Sequence, residues 1–101
     1  MDANEAILAN VEARAGFYVW EPEVFTVAFP ANISVTDADV LPLTGLRGVR
    51  QIALNAASLP HSAVAQVAGT PVLQSLVLFN NHYSETEMTT LRVIGPEIVL
   101  A

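Results

Sequence analysis

The stretch of sequence that decides the fold is Leu73-Gln74-Ser75-Leu76-Val77-Leu78-Phe79-Asn80-Asn81. Apolar residues alternate with variable ones around Leu76 and Leu78, and this pattern predicts a β-strand with one buried face. The two asparagines mark the point where the strand gives way to a loop. A single unit of this kind cannot bury its apolar face alone, so the segment must belong to a larger stacked sheet.

The same pattern recurs along the chain at a spacing of 24 residues. Residues 35–40 align with residues 59–64 and again with residues 83–88, and the apolar positions stay in step through both periods. The aligned columns are Val40, Val64 and Met88; Leu43, Val67 and Leu91; Val49 and Leu73; Ile52 and Leu76; Leu54 and Leu78; and, after a two-residue deletion, Gly95, Ile98 and Leu100. A fixed period of this length predicts a repeat architecture whose stacked units share one core.

Each repeat predicts a strand, a loop and a short helix. Residues 49–54 alternate as a strand does, whereas residues 40–46 space their apolar side chains by three, as one side of a helix does. Ser84 stands three residues before Glu87, which is the spacing of a helix capping box. In the middle repeat Pro60 takes that place, as a proline in the first turn of a helix. The units therefore predict a right-handed coil of parallel strands.

Residues 73–81 resemble the leucine-rich-repeat consensus L-x-x-L-x-L-x-x-N, with every keyed position filled. Residues 24–32 fit it as well, and residues 49–57 fit it except that Ala57 replaces the asparagine. The phrase Val35-Thr36-Asp37-Ala38-Asp39-Val40, followed by Leu43 and Leu46, resembles the helical half found in bacterial leucine-rich-repeat proteins of the ribonuclease-inhibitor-like type. The resemblance covers residues 24–101 and implies an α/β solenoid of four parallel strands with intervening helices.

Asparagine at the ninth place of the motif, as in Asn32 and Asn81, is expected to turn inward and to satisfy backbone groups where the strand ends. Residues 1–23 predict an N-terminal cap in which a helix begins at Asp2, ends near Arg14 before Gly16, and leads into a β-hairpin. We therefore expect one domain over residues 1–101. A small α/β layer with strands in mixed order is the alternative fold, although it gives no reason for the 24-residue register.

Composition excludes several classes of partner. The formal net charge is −6, with four basic residues that are all arginine, so we expect neither nucleic acid nor an anionic membrane as the partner. The absence of cysteine excludes disulfides, thiol catalysis and cysteine-rich zinc modules. No basic segment followed by an apolar run begins the chain, so a cytoplasmic location is expected. With 52% hydrophobic residues, more apolar surface is present than a monomer's core requires.

The candidate catalytic residues are His61 and His82, which are the groups that titrate near neutral pH. Both are expected in loops on the same rim of the coil, and Glu85 is a third candidate beside them. Their positions within the repeat differ, so nothing in the pattern brings them together. No metalloprotease, phosphate-loop or nucleophile-elbow motif occurs. We therefore expect no catalytic residues, no metal and no cofactor, and a protein that is not an enzyme.

The outer face of the sheet is the predicted functional surface, because side chains alternate along a strand and those beside the buried ones must point outward. The residues expected to bind a protein partner there are Gln51, Ala53, Asn55, Ser75, Val77, Phe79, Glu97 and Val99. Alternatively, Phe79 folds over its own loop against Tyr83. A second hypothesis is self-assembly into a dimer or filament through the last strand, which nothing caps, with Pro96, Ile98 and Leu100 as the self-associating residues.

Overall fold

The computed structural model describes residues 3–101, so the predicted helix start at Asp2 lies outside the described residues. Helices and strands alternate along most of the chain. In order they are α1 (Ala3–Ala13), β1 (Phe17–Val19), β2 (Thr26–Ala28), α2 (Asp37–Val40), a 3₁₀ helix (Leu41–Gly45), β3 (Gln51–Asn55), α3 (His61–Ala68), β4 (Ser75–Phe79), α4 (Glu85–Arg92) and β5 (Glu97–Leu100). The α/β class that the sequence predicts is confirmed.

The five strands form one sheet in the order β1-β2-β3-β4-β5. β1 pairs antiparallel with β2, whereas the strands from β2 to β5 run parallel to one another. In the central pair Gln51 lies opposite Ser75 and Ile52 lies opposite Leu76, so paired residues are 24 positions apart. Between β4 and β5 the offset is two residues shorter, because Ser75 lies opposite Glu97. This register is the one that the alignment of the apolar columns requires.

The core lies between the sheet and a layer of helices. On the covered face of the sheet, Val27, Ile52 and Leu76 form a row of fully buried side chains, and Leu54 and Leu78 form the next row. The helices close this layer with further buried apolar residues, which are Leu8, Val11, Val40, Leu43, Val64, Val67, Met88 and Leu91. Burial of each such large side chain contributes about 1.5 to 3 kcal/mol, so these buried rows contribute strongly to the stability of the fold.

The first helical segment differs from the expectation of one helix over residues 40–46. The structure has a single α-helical turn, α2, which begins after Thr36 and whose backbone then tightens into the 3₁₀ helix. Pro42 accounts for the change, because proline has no N–H to continue the α-helical ladder and its ring clashes with the preceding turn. Val40 and Leu43 remain fully buried, so the change of helix type preserves the apolar column.

The N-terminal helix contacts the segment before β3 through Asn4. Its side-chain Nδ2 donates to the carbonyl of Arg47 at 3.0 Å, and its Oδ1 accepts from the Arg47 N–H at 2.9 Å. The sequence predicts that Gly16 ends this helix, but the residue in the left-handed conformation is Ala15, with a φ of 64°. Gly16 serves a different purpose, because a Cβ there would lie 2.6 Å from the Cγ1 of Val11 and 3.0 Å from the ring of Phe29.

We therefore expect Gly16→Ala to lower the free energy of unfolding by about 1 to 3 kcal/mol, the usual effect of overpacking a core. Gly69→Ala is the matched control, since a Cβ at Gly69 would come no closer than 3.4 Å to any atom and its φ of −80° suits alanine. Urea denaturation followed by circular dichroism measures both. Equal stability of the two variants would contradict the close approach at Gly16.

Candidate partner-binding face of the sheet

Two rows of side chains run across the face of the sheet opposite the helices. Residues that pair in a ladder point to the same face, so the pairings define each row. The apolar row consists of Phe17, Ala28, Ala53, Val77 and Val99, one residue from each strand. The row beside it begins with Val19 and continues with Thr26, Gln51, Ser75 and Glu97, and we call it the polar row for these four residues.

This outer face is open across the sheet. The helical segments contact one another in sequence, α1 with the 3₁₀ helix, the 3₁₀ helix with α3, and α3 with α4, so they form one layer on the core side. On the outer side Phe17, Gln51, Glu97 and Val99 are exposed, and Val77 is half-buried. Within residues 3–101 the molecule therefore has two layers, and one face of its sheet meets solvent.

The structure corrects the predicted exposure of Ala53 and Asn55. The sequence predicts both as exposed outer-face residues, yet only 8% of Ala53 and 6% of Asn55 is exposed. The methyl group of Ala53 is short, and it lies between Ala28 and Val77, which pair with it on either side. Ala53 therefore forms the floor of the apolar row and offers a partner little area.

Asn55 is buried because its amide is used within the protein. Its Nδ2 donates to the carbonyl of Ile33 at 3.0 Å, and its Oδ1 accepts from the N–H of Ala57 at 3.1 Å. Asn80 adds a third link, since its Nδ2 donates both to Asn55 Oδ1 and to the carbonyl of Ala31, each at 3.0 Å. Asn55 and Asn80 together link the loops that follow β2, β3 and β4 through hydrogen bonds.

Asn32 and Asn81, the two asparagines that the sequence predicts to turn inward, differ in their surroundings. Asn32 is exposed, and Asn81 is half-buried, where its Oδ1 accepts from the N–H of Tyr83 at 3.1 Å. The expectation that Asn32 turns inward is thus wrong, whereas Asn81 does satisfy a backbone group. Asn55 and Asn80 satisfy further backbone groups that the sequence did not assign to them. Asn55 lies opposite Phe79 in the ladder, so the repeat alignment contains no asparagine column that would have revealed the pair.

Phe79 is half-buried and pairs with Asn55 at the end of the outer face. The ring of Tyr83, its expected alternative neighbour, contacts two histidines: its centroid lies 4.5 Å from that of His82 and 6.0 Å from that of His61. The Tyr83 hydroxyl donates to the carbonyl of Leu59 at 2.8 Å. Tyr83 therefore belongs to the layer of loops and helices.

His61 and His82 both contact Tyr83, and each binds a neighbouring segment through its Nε2. His61 begins α3 and lies 3.1 Å from the carbonyl oxygen of Glu87 and 2.8 Å from the hydroxyl oxygen of Thr90. His82 lies 3.0 Å from the carbonyl oxygen of Ala56. Within residues 3–101 no group of three or more histidine, aspartate or glutamate side chains is arranged to hold a metal ion.

The carboxylate beside these rings is Glu87, whereas Glu85 was the residue expected. Glu87 Oε1 accepts from the N–H of Ser84 at 3.0 Å and the Ser84 hydroxyl accepts from the N–H of Glu87, which is the predicted capping box. The hydrogen bond from the Ser84 backbone, aided by the histidines, lowers the pKa of Glu87. The capping box begins α4, and the contacts of His61 with Glu87 and Thr90 hold α4 against α3.

β5 lies at the edge of the described sheet, next to β4 only. The three residues expected to self-associate differ in their surroundings: Pro96 is buried, Ile98 is half-buried against the core, and Leu100 is exposed. The expectation that Pro96 is available for self-association is therefore wrong, because its side chain is buried within its own chain and offers no free surface.

Among residues 3–101, no helix has the length and apolar character needed to cross a membrane. No family model matches the chain, and no curated protein or solved structure matches it either. Its function must therefore be argued from its own residues.

Burial, with a smaller contribution from Glu87, raises the pKa of Tyr83 from 10.0 to about 12. A raised tyrosine pKa means that stability is fully present below pH 10, the value for the unfolded chain, and is lost as the pH rises through about 12. The sequence has no lysine or cysteine, so few other groups titrate in this range. We expect Tyr83→Phe to flatten this alkaline loss of stability, measured by urea denaturation between about pH 9 and pH 11.5.

Tyr18→Phe is the control for this measurement. The pKa of Tyr18 is also raised, first by a hydrogen bond with Glu12 and then by burial, but Tyr18 lies on the edge strand and only partly within the core. An alkaline loss of stability that persists in Tyr83→Phe but disappears in Tyr18→Phe would show that burial of the Tyr83 hydroxyl is not its source.

Proposed function

We propose that this chain is a leucine-rich-repeat module without catalytic activity that binds a protein partner on the outer face of its sheet. The observation that carries the proposal is the open apolar row, Phe17, Ala28, Ala53, Val77 and Val99, beside a polar row that contains Gln51, Ser75 and Glu97. A contiguous apolar patch rimmed by polar side chains is typical of protein contact sites.

Support for the repeat part of the proposal comes from the sheet register. Leu73, Leu76 and Leu78, which occupy the keyed positions of the quoted motif, are all buried. Val49 and Ile52, their counterparts one repeat earlier, are fully buried as well. Each repeat would then contribute one strand to the sheet and one helical segment to the other layer, as stacked repeats do.

The character of the face favours a protein as partner. Glu97 is the only charged residue in either row, so the face offers little to a strongly charged ligand such as nucleic acid. The face is a continuous surface across five strands, and it suits a broad contact better than a small molecule, which binds in a concave pocket. We assign the contact to Gln51, Ser75, Val77, Phe79, Glu97 and Val99, with Ala53 as its floor and Asn55 as a structural support.

Duplication of residues 56–79 tests the repeat hypothesis. This segment spans one full period, from the loop after β3 to the end of β4, so a second copy inserted after Phe79 adds one helix and one strand. In a stacked-repeat fold the enlarged chain should fold cooperatively and be at least as stable as the original, because each added unit brings a new interface. Circular dichroism and urea denaturation measure this outcome.

Insertion of residues 56–67 at the same site is the control, since it adds part of a helix without a strand and should disrupt the fold. If both insertions unfold the chain, the sheet does not grow by whole repeats and the leucine-rich-repeat assignment fails.

Val77→Asp tests the binding face. An aspartate in the middle of the apolar row should weaken partner binding by about tenfold or more, because binding would bury an unpaired charge. Photo-crosslinking from position 51, followed by identification of the captured protein and titration of the purified pair, measures the effect.

Thr86→Asp introduces the same charge on the exposed side of α4, in the first turn where the helix dipole favours an acidic residue. It should leave affinity unchanged. If Val77→Asp folds as the original does by circular dichroism and binds equally well, the outer face is not the binding site.

A further inference from the structure

Within residues 3–101, the edge of β5 away from β4 carries backbone groups that no other strand pairs with. On its inner side the N–H of Glu97 donates to the carbonyl of Gln74 at 2.8 Å, and the N–H of Ala101 donates to the carbonyl of Leu78 at 3.1 Å. In a parallel ladder, successive residues direct their N–H and C=O groups alternately to the two sides of the strand. The backbone groups of Ile98 and Leu100 therefore point away from β4.

The surroundings of this edge are apolar. Val93, in the connection that leads to β5, is 79% exposed, and Leu100 is 46% exposed. Ile94 and Val99 are exposed as well. Natural edge strands are commonly protected by charges, prolines or bulges, and within β5 itself Glu97 is the only such residue.

The opposite edge of the sheet is different. β1 is flanked by carboxylates, since Glu12 bonds to Tyr18 and Glu5 lies near enough to affect its titration. Glu21, Pro22 and Glu23 follow the strand directly. Two such edges would repel each other at neutral pH, and neither the proline nor the clustered charges favour strand pairing. Among the strands described, β5 is the edge suited to a second chain.

We propose that β5 pairs antiparallel with β5 of a second copy of this chain, about a twofold axis at Val99. In this register Ile98 lies opposite Leu100 of the second copy, and Leu100 lies opposite its Ile98. Both residues direct their backbone groups outward, so each pair exchanges two N–H···O=C bonds. A twofold contact of this kind is self-complementary and closes at two chains.

Side chains and charges agree with this register. Val99 meets Val99 of the second copy on the outer face, which continues the apolar row across both molecules. Glu97 lies opposite Ala101 of the second copy, so the two carboxylates do not face each other. A shift by one pair toward the start of β5 would place Pro96, which has no N–H, in a position that requires a donor. The register centred on Val99 avoids this position and gives the outward groups of Ile98 and Leu100 a partner each.

Edge pairing over four residues is a small contact, so we expect a reversible equilibrium between monomer and dimer that depends on protein concentration. The dimer would present one continuous sheet of ten strands, with the two outer faces side by side. The proposal rests on the edge of β5 and does not depend on any partner bound by that face.

Cysteine substitution tests the register directly, because the natural sequence has no cysteine. In a non-hydrogen-bonded antiparallel pair the Cα atoms are about 4.5 Å apart, within the range for a disulfide. Val99→Cys should therefore form a disulfide-linked dimer under mild oxidation. Glu97→Cys is the matched control on the same strand and face, since its copies would lie about 13 Å apart, four residues along the strand. We expect the Val99→Cys dimer to form at least about tenfold faster.

Leu100→Pro gives an independent measurement. It removes an outward N–H and leaves the bonds of Val99 and Ala101 to β4 in place, whereas Leu100→Val keeps the donor. Sedimentation velocity over a range of concentrations should show dimer for the original chain and Leu100→Val, and monomer for Leu100→Pro. The proposal is overturned if the original chain is monomeric throughout, if Glu97→Cys crosslinks as fast as Val99→Cys, or if Leu100→Pro dimerises as Leu100→Val does.

Discussion

The register between β3 and β4 is the constraint on which the rest of the structure depends. It sets Ile52 opposite Leu76 and Leu54 opposite Leu78, so that four fully buried side chains meet in two rows beneath the helices. Side chains alternate along a strand, and a slip by one residue would turn all the apolar groups of one strand toward solvent. The same register fixes the composition of the outer face, because the residues between the buried ones must form the opposite rows.

The register also brings equivalent loops together at the carboxyl ends of the strands. Ser34 Oγ lies 3.0 Å from Ser58 Oγ, and the Tyr83 hydroxyl donates to the carbonyl of Leu59, each pair being 24 residues apart. The asparagine links and the two histidines lie at this same end. Polar side chains are therefore concentrated where loops need their backbone groups satisfied, and the outer face keeps its mixture of small, apolar and polar residues with Glu97 as its one charge.

Periodicity was sufficient to predict the four parallel strands, their order and the covered face, because spacing alone decides which residues share a side. It did not predict the burial of Ala53, which depends on the side chains of Ala28 and Val77 on either side. Nor did it predict the role of Asn55, since its partners Ile33 and Asn80 are distant in sequence and belong to no repeated column. The sequence pattern contains no information on the size of neighbouring side chains or on the geometry of their hydrogen bonds.

The two ends of the sheet differ in a way that favours a closed assembly over an open one. A filament would require β5 of one copy to pair with β1 of the next, where Glu21 and Glu23 follow the strand. Trp20, the residue after β1, stacks on Phe25 of its own chain, with ring centroids 6.0 Å apart. Pairing of β5 with β5 keeps both acidic ends far apart at the outside. In the proposed dimer, this placement of charge would limit growth to two copies.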